Sequence, residues 1–170
     1  MSKQAPLSYR DNVLADDAAT VRAIIASSGY FHDHEIAVAV ELVEERLQKG
    51  LKSGYYFIFA EQAGRAVGYC CYGPIACAEG SFDLYWIAVD NDCRSRGIGK
   101  ILLQKSEERI AAQGGRAVWV ETSGQEKYRP TRDFYLHNQY RVEAVLKDFY
   151  APGDDKYVFV KRFSGHGRKD

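Results

Sequence analysis

The stretch from Phe82 to Glu121 limits the fold more than any other part of the chain. Phe82–Asp90 is rich in aromatic and β-branched residues and reads as a strand, followed by a loop over Asn91–Arg96. From Gly97 to about Gln113 the apolar residues Ile98, Ile101, Leu102 and Ile110 recur at helical spacing, and Gly114-Gly115 closes the helix. Ala117–Glu121 is again strand-like. A strand, a helix and a strand in this order form a crossover unit, which makes the two strands parallel and the connection right-handed.

The rest of the chain is arranged around that unit. Leu7–Arg10 is a short first strand. Asp16 and Asp17 are N-cap candidates for a helix to about Ser27, with Ala18, Val21, Ile24 and Ile25 on one face. A second helix from about Glu35 to Gln48 has the stripe Ile36, Val40, Val43 and Leu47, and Gly50 ends it. Tyr55–Glu61 and Ala66–Tyr72 form a hairpin around Gln62-Ala63-Gly64-Arg65, and Gly73-Pro74 breaks its second strand. A short helix spans about Pro130 to His137, and Arg141–Tyr150 with Lys156–Phe163 makes a last hairpin. The order β-α-α-β-β-β-α-β-α-β-β predicts an α+β fold: a mixed, mostly antiparallel sheet flanked by helices. Residues 1–163 read as a single domain, and the stretch from Ser164 to Asp170 as a flexible tail.

Charge narrows the function. Lys+Arg and Asp+Glu both number 23. A chain of zero net charge has no global field to hold nucleic acid or an anionic membrane, so neither is expected as a partner. No apolar run is long enough to span a bilayer, and no signal-peptide core follows Met1-Ser2-Lys3-Gln4-Ala5-Pro6. Cys70, Cys71, Cys77 and Cys93 form no C-x-x-C pair, and no metal site is expected. Free thiols suit a reducing cytoplasm. Cys70 and Cys71 are neighbours in one strand and should point to opposite faces.

Against this neutral background, Arg94, Arg96 and Lys100 cluster in Arg94-Ser95-Arg96-Gly97-Ile98-Gly99-Lys100, where a loop opens a helix. Glycines let backbone approach a ligand, and a helix start offers unpaired N–H donors and the positive end of the dipole. Together these suit a pyrophosphate. The Walker pattern fails because Ile101 follows Lys100, and the dinucleotide fingerprint fails because Leu102 stands where its third glycine would be.

What remains, R-x-x-G-x-G after a strand, resembles the signature of the GNAT acetyltransferases. Ile87-Ala88-Val89 resembles that family's bulged strand, and Phe134-Tyr135-Leu136-His137-Asn138-Gln139-Tyr140 resembles its F-Y-x-x-x-G-[FY] segment. The resemblance covers nearly the whole chain. It implies a β-α-β core binding coenzyme A through Ile87, Ala88, Val89, Arg94, Ser95, Arg96, Gly97, Ile98, Gly99 and Lys100. It also implies acetyl-CoA as acyl donor, an amine of a small molecule or peptide as acceptor, and a homodimer as a candidate state. Two positions depart from the family pattern. Tyr128 stands where the family often has Asn, and Gln139 where it usually has Gly. Asn138, which tolerates left-handed backbone, is expected to make the turn instead.

Amide formation needs a neutral amine, and a lysine-like amine with a pKa of ~10.4 is mostly charged at pH 7. A base is therefore expected. Asp83 matches the place of the family's strand glutamate, and Glu121 on the next strand is the second candidate. The leaving thiolate needs a proton, and Tyr135 matches the family tyrosine that supplies it. Cys93 lies by the phosphate loop and is not expected to carry an acyl group. Tyr30 and Phe31 fall where relatives shape the acceptor pocket, with Tyr128, Asp148, Phe149, Tyr150, Asp154 and Asp155 as candidates for another wall. The competing reading is a non-catalytic domain that senses an acyl-CoA.

Overall fold

The computed structural model describes residues 5–164. The expected tail, apart from Ser164, lies outside the described residues. The strands are β1 (Leu7–Arg10), β2 (Tyr56–Gln62), β3 (Arg65–Pro74), β4 (Ser81–Val89), β5 (Ala117–Ser123), β6 (Arg141–Ala151) and β7 (Asp154–Arg162). The helices are α1 (Asp17–Ser27), α2 (Asp33–Lys49), α3 (Ile98–Ala112) and α4 (Arg129–His137). Among the described residues the strands are hydrogen-bonded in the order β1-β2-β3-β4-β5-β7-β6. The β1–β2, β2–β3, β5–β7 and β6–β7 pairs are antiparallel, and β4–β5 is the parallel pair expected of the crossover. The fold is α+β. The chain forms two compact units, Met1–Gly73 with Trp86–Ser106, and Pro74–Tyr85 with Glu107–Asp170.

In the first unit, β3 is buried from Ala66 to Gly73 because both of its faces are covered. Phe57, Phe59, Tyr69 and Cys71 form one face and pack with Val21, Ile24 and Ile25 of α1 and with Ile36, Ala39, Val40 and Val43 of α2. Cys70 is on the other face, its Sγ donating to the Leu102 carbonyl of α3 at 3.8 Å. The neighbouring cysteines thus point to opposite sides, as expected. Burial pushes the Cys70 thiol up to about 12, which leaves it unreactive. The β2–β3 hairpin turns on two left-handed residues, Ala63 (φ 52°) and Gly64 (φ 75°), a backbone that matches strand twist.

Three local expectations for this unit are corrected. Leu47 is 42% exposed, and Ala39 takes its place in the buried stripe of α2. Gly73-Pro74 does not break β3, which runs through Pro74, because a terminal residue of a strand tolerates a missing N–H. Asp16 makes no side-chain cap. Asp17 turns back instead, its Oδ2 accepting from the Leu14 N–H at 2.7 Å while its carboxylate pairs with Arg10 at 2.6 Å.

The second unit is built on β5, which pairs in parallel with β4 through Ser81↔Ala117, Phe82↔Val118 and Asp83↔Trp119. On its other side β5 pairs with β7 from Ala117↔Arg162 to Ser123↔Lys156. These registers sort the side chains. Phe82, Leu84, Val118, Val120 and Phe159 share one buried face, covered by Tyr135 of α4, whose ring centroid is 5.7 Å from that of Phe159. Asp83, Trp119, Glu121 and Lys156 share the opposite face. Every residue of the edge strand β6 is exposed, and its pairing with β7 is interrupted at Val142/Ala144 and at Leu146/Ala151. The hairpin turn is tighter than expected, since β6 continues to Ala151 and β7 begins at Asp154.

Candidate active site

In the first unit, the end of β4 and the start of α3 frame the basic loop. Asp90 donates its N–H to the Val67 carbonyl at 2.8 Å, and its side chain accepts from the Asp92 N–H at 3.1 Å. A 3-10 turn over Asn91–Cys93 follows, held by the Asn91 N–H on Ser27 Oγ at 3.0 Å. The Cys93 side chain is buried, so it anchors the loop. The backbone then becomes left-handed at Ser95 (φ 59°) and at Gly97 (φ 77°). A Cβ on Gly97 would meet nothing within 4 Å, so its backbone lies open on that side. The Ile101 N–H bonds to the Gly97 carbonyl at 3.1 Å, the first α-helical bond of α3. The Ile98, Gly99 and Lys100 N–H groups therefore precede the helical ladder and have no acceptor within it. Ile98 is buried and fixes the direction of the helix.

The cations around this opening are differently held. Arg96 Nη1 donates to Gln62 Oε1 at 3.1 Å. The Arg94 guanidinium lies 5.5 Å from the Tyr30 ring centroid, and Lys100 is exposed. Ile87, Ala88 and Val89 end β4, where strict in-out alternation is lost. Gly68, which sequence reasoning missed, sits against this segment. A Cβ there would be 3.1 Å from the Ala88 carbonyl oxygen and 3.3 Å from Ile98 and Leu102. The available signal was an isolated glycine inside an apolar strand. Phe31 packs edge-on to Trp86, centroids 5.4 Å apart, so Tyr30 and Phe31 belong to the same unit as the loop.

The acid–base candidates are all in the second unit. Asp83 is half-buried, and burial, followed by the negative charge of Glu121, raises its carboxyl above the usual aspartate value, with Lys156 opposing. Glu121 Oε2 is 2.5 Å from Lys156 Nζ, which also lies 4.1 Å from the Phe149 ring centroid. The Tyr150 phenol is raised by burial first, then by Glu121 and Asp154. Tyr135 is 3% exposed, its ring edge-on to those of Phe134 and Tyr140. Since it lies on the Phe159 face, the proposed acid and the candidate bases occupy opposite faces of the sheet.

One expectation fails here. Gln139 (φ 71°), not Asn138 (φ −98°), takes the left-handed position after α4. Asn138 instead bonds its side-chain amide back to the Phe134 carbonyl at 2.8 Å. Three of the acids suggested for an acceptor wall hold the last hairpin. Asp154 accepts from Ser123 Oγ at 2.6 Å and Gln125 Nε2 at 2.7 Å. Asp155 pairs with Lys147 at 2.7 Å, and Asp148 accepts from the Gly153 N–H at 2.6 Å. Tyr128 caps the start of α4, with Lys127 Nζ 5.0 Å from its ring centroid. A cavity of about 320 Å³ beside α4 is lined by Arg129, Arg132, Leu136 and Tyr157 among others, and by none of the expected site residues. Among the described residues, no cluster of three His, Cys, Asp or Glu could hold a metal ion, and no helix is long and apolar enough to cross a membrane.

Comparison with known proteins gives this arrangement its context. A search of curated protein sequences returned no match. Among solved structures, a GNAT-family protein from Desulfovibrio desulfuricans is 43% identical, with a TM-score of 0.91 over 92% of this chain and 99% of that one. The PaiA N-acetyltransferase from Thermoplasma acidophilum, solved with coenzyme A, shares the fold at 16% identity (TM-score 0.71, 93% and 99% covered). An aminoglycoside 6'-N-acetyltransferase, also solved with coenzyme A, does so at 17% (TM-score 0.70, 92% and 96% covered). The profile of the acetyltransferase (GNAT) family matches residues 22–138, which spans the basic loop, both strand carboxylates and Tyr135. The chain is therefore an acyltransferase and belongs to the GNAT family.

Proposed function

We propose that the protein transfers an acetyl group from acetyl-CoA to a primary amine of a small molecule or peptide by direct attack of the amine. The observation that carries this reading is the basic loop. Its left-handed Ser95 and Gly97 lead into a helix start with free N–H groups, and Arg94, Arg96 and Lys100 surround it. Such an opening suits the pyrophosphate of coenzyme A, and the coenzyme A complexes of two structural neighbours support the assignment. Ile87, Ala88 and Val89 offer strand backbone to the pantetheine arm. Residues 1–163 are taken as one catalytic domain, since the family profile draws on both compact units. Four free cysteines, of which Cys77 is exposed, fit a reducing cytoplasmic site of action.

Asp83 takes a proton from the acceptor ammonium, directly or through a water, and so frees the nitrogen lone pair. The C–N bond forms at the thioester carbonyl, the C–S bond breaks, and Tyr135 gives its phenolic proton to the departing sulfur. Raising the Asp83 carboxyl increases its proton affinity, which suits a base. Tyr30, Phe31 and Tyr128 are the aromatic candidates for holding the acceptor.

A thiol-release assay over amines, amino acids and peptides tests the reading, together with thermal shift. Acetyl-CoA at about 100 times its Kd should add about 2.7 kcal/mol of stability, where matched ATP or NAD adds none. No shift with acetyl-CoA would refute donor binding. A shift with a flat acceptor panel would favour the sensor reading.

A further inference from the structure

Lys156 has no part in the function as stated, yet it is placed at the centre of the base candidates. The register brings Ser123 directly opposite Lys156 and Glu121 opposite Val158, so Lys156 is the diagonal neighbour of Glu121 across β5 and β7. The Lys156 side chain is 12% exposed, whereas that of Glu121 is 50% exposed. Its ammonium is held between the Glu121 carboxylate at 2.5 Å and the Phe149 ring at 4.1 Å. Asp83 shares this sheet face, and among the described residues no hydrogen bond or ion pair engages its carboxylate. The two acids are thus in unlike states: one occupied, one open.

We propose that Lys156 is a positioning residue: by occupying the Glu121 carboxylate it leaves Asp83 as the one strand acid that takes the amine's proton. This rests on the acyl-transfer reading above and adds to it a division of labour between the two candidate bases. The charged and titratable groups facing this cluster are few. β4 contributes Tyr85, two residues from Asp83 on the same face, β5 contributes Glu121, β7 contributes Lys156 and β6 contributes Tyr150, whose phenol feels Glu121 and Asp154. Arg162 lies 5.5 Å from the Trp119 ring and is paired with Glu143 at 3.1 Å. Lys156 is the cation that offsets Glu121 at Asp83. Without it, the negative charge of Glu121 would act on Asp83 unopposed, and the Asp83 proton would be held more tightly.

The test is a carboxyl 13C NMR titration of the full chain, with Asp83 assigned through Asp83→Asn, alongside the pH profile of kcat/KM on an amine found in the panel. Lys156→Met keeps the stem and removes the charge, so the Asp83 midpoint should move to higher pH and the acid limb of kcat/KM should move with it. Lys156→Arg should restore both. Glu121→Gln, an independent variant that keeps the lysine, should move the Asp83 midpoint the other way, to lower pH. The titration reads out whether or not an acceptor is known. An Asp83 midpoint that ignores both Lys156→Met and Glu121→Gln overturns the assignment and leaves acyl transfer standing. A midpoint that moves while the acid limb stays put shows that Asp83 is not the proton acceptor, and this overturns both the division of labour and the base assignment.

Discussion

The two compact units solve different problems with different parts of the chain. On the proposed assignments, the first presents a ligand with backbone: left-handed Ser95 and Gly97, helix-start N–H groups, and a strand end that Gly68 allows to lie close. The second presents side chains: Asp83, Glu121 and Lys156 on one sheet face and Tyr135 on the other. Backbone sites depend on conformation, which only certain residues permit. Side-chain sites depend on strand register, which many sequences share.

This contrast can be tested through substitution. The largest effect is expected at Tyr135. Tyr135→Phe removes one oxygen and keeps the buried ring, so fold and acetyl-CoA affinity should survive. Turnover should fall at least roughly tenfold, the cautious end of the range for general acid catalysis. Wild-type turnover on a substrate whose chemical step limits the rate would return Tyr135 to a packing role. Next is Gly68→Ala, whose Cβ meets the Ala88 carbonyl at 3.1 Å. Overpacking there should destabilise by about 1–3 kcal/mol in chemical denaturation and weaken acetyl-CoA binding as β4 shifts. An unchanged midpoint would mean that Gly68 does not hold the strands close.

Gly97→Ala is expected to cost slightly less, about 1–2 kcal/mol, because an L-residue at φ 77° is strained even where its Cβ has room. Gly97→Asn should recover part of that loss. If Ala and Asn behave alike in calorimetry with acetyl-CoA, backbone conformation is not what the loop needs. The smallest effect is at Asp83. Burial and Glu121 raise its carboxyl, so the folded state binds this proton more tightly than the unfolded chain. By linkage, this group's contribution to stability is largest below the unfolded aspartate pKa and is lost as pH rises through the folded value. Asp83→Asn should therefore raise Tm slightly at pH 7 while lowering turnover. A Tm that drops at pH 7 would show that the carboxylate makes a stabilising contact.

The same contrast explains what the sequence made legible. The crossover, the β2–β3 hairpin and the basic loop were readable because glycines and apolar spacing report local backbone. Leu47 was misplaced because periodicity identifies a helix face but not where the neighbouring layer ends. Gln139 was missed because a polar side chain gives no sign that it will adopt a left-handed turn when Asn138 is already bonded to its own helix. The Lys156–Glu121 pair could not be read at all. It joins residues far apart in the chain through a register that only the folded sheet defines.

The opposite placement of Tyr135 and Asp83 has a consequence for the whole reaction cycle. The β4–β5 pairing ends at Asp83↔Trp119, so Asp83 stands at the end of that ladder and not behind an unbroken one. On the proposed assignments, Asp83 and Tyr135 serve one thioester carbonyl, and each must be reset before the next turnover: Asp83 gives up the proton it collected, and Tyr135 takes one back. A buffer that speeds turnover would show that this resetting, and not bond making, sets the pace of the cycle.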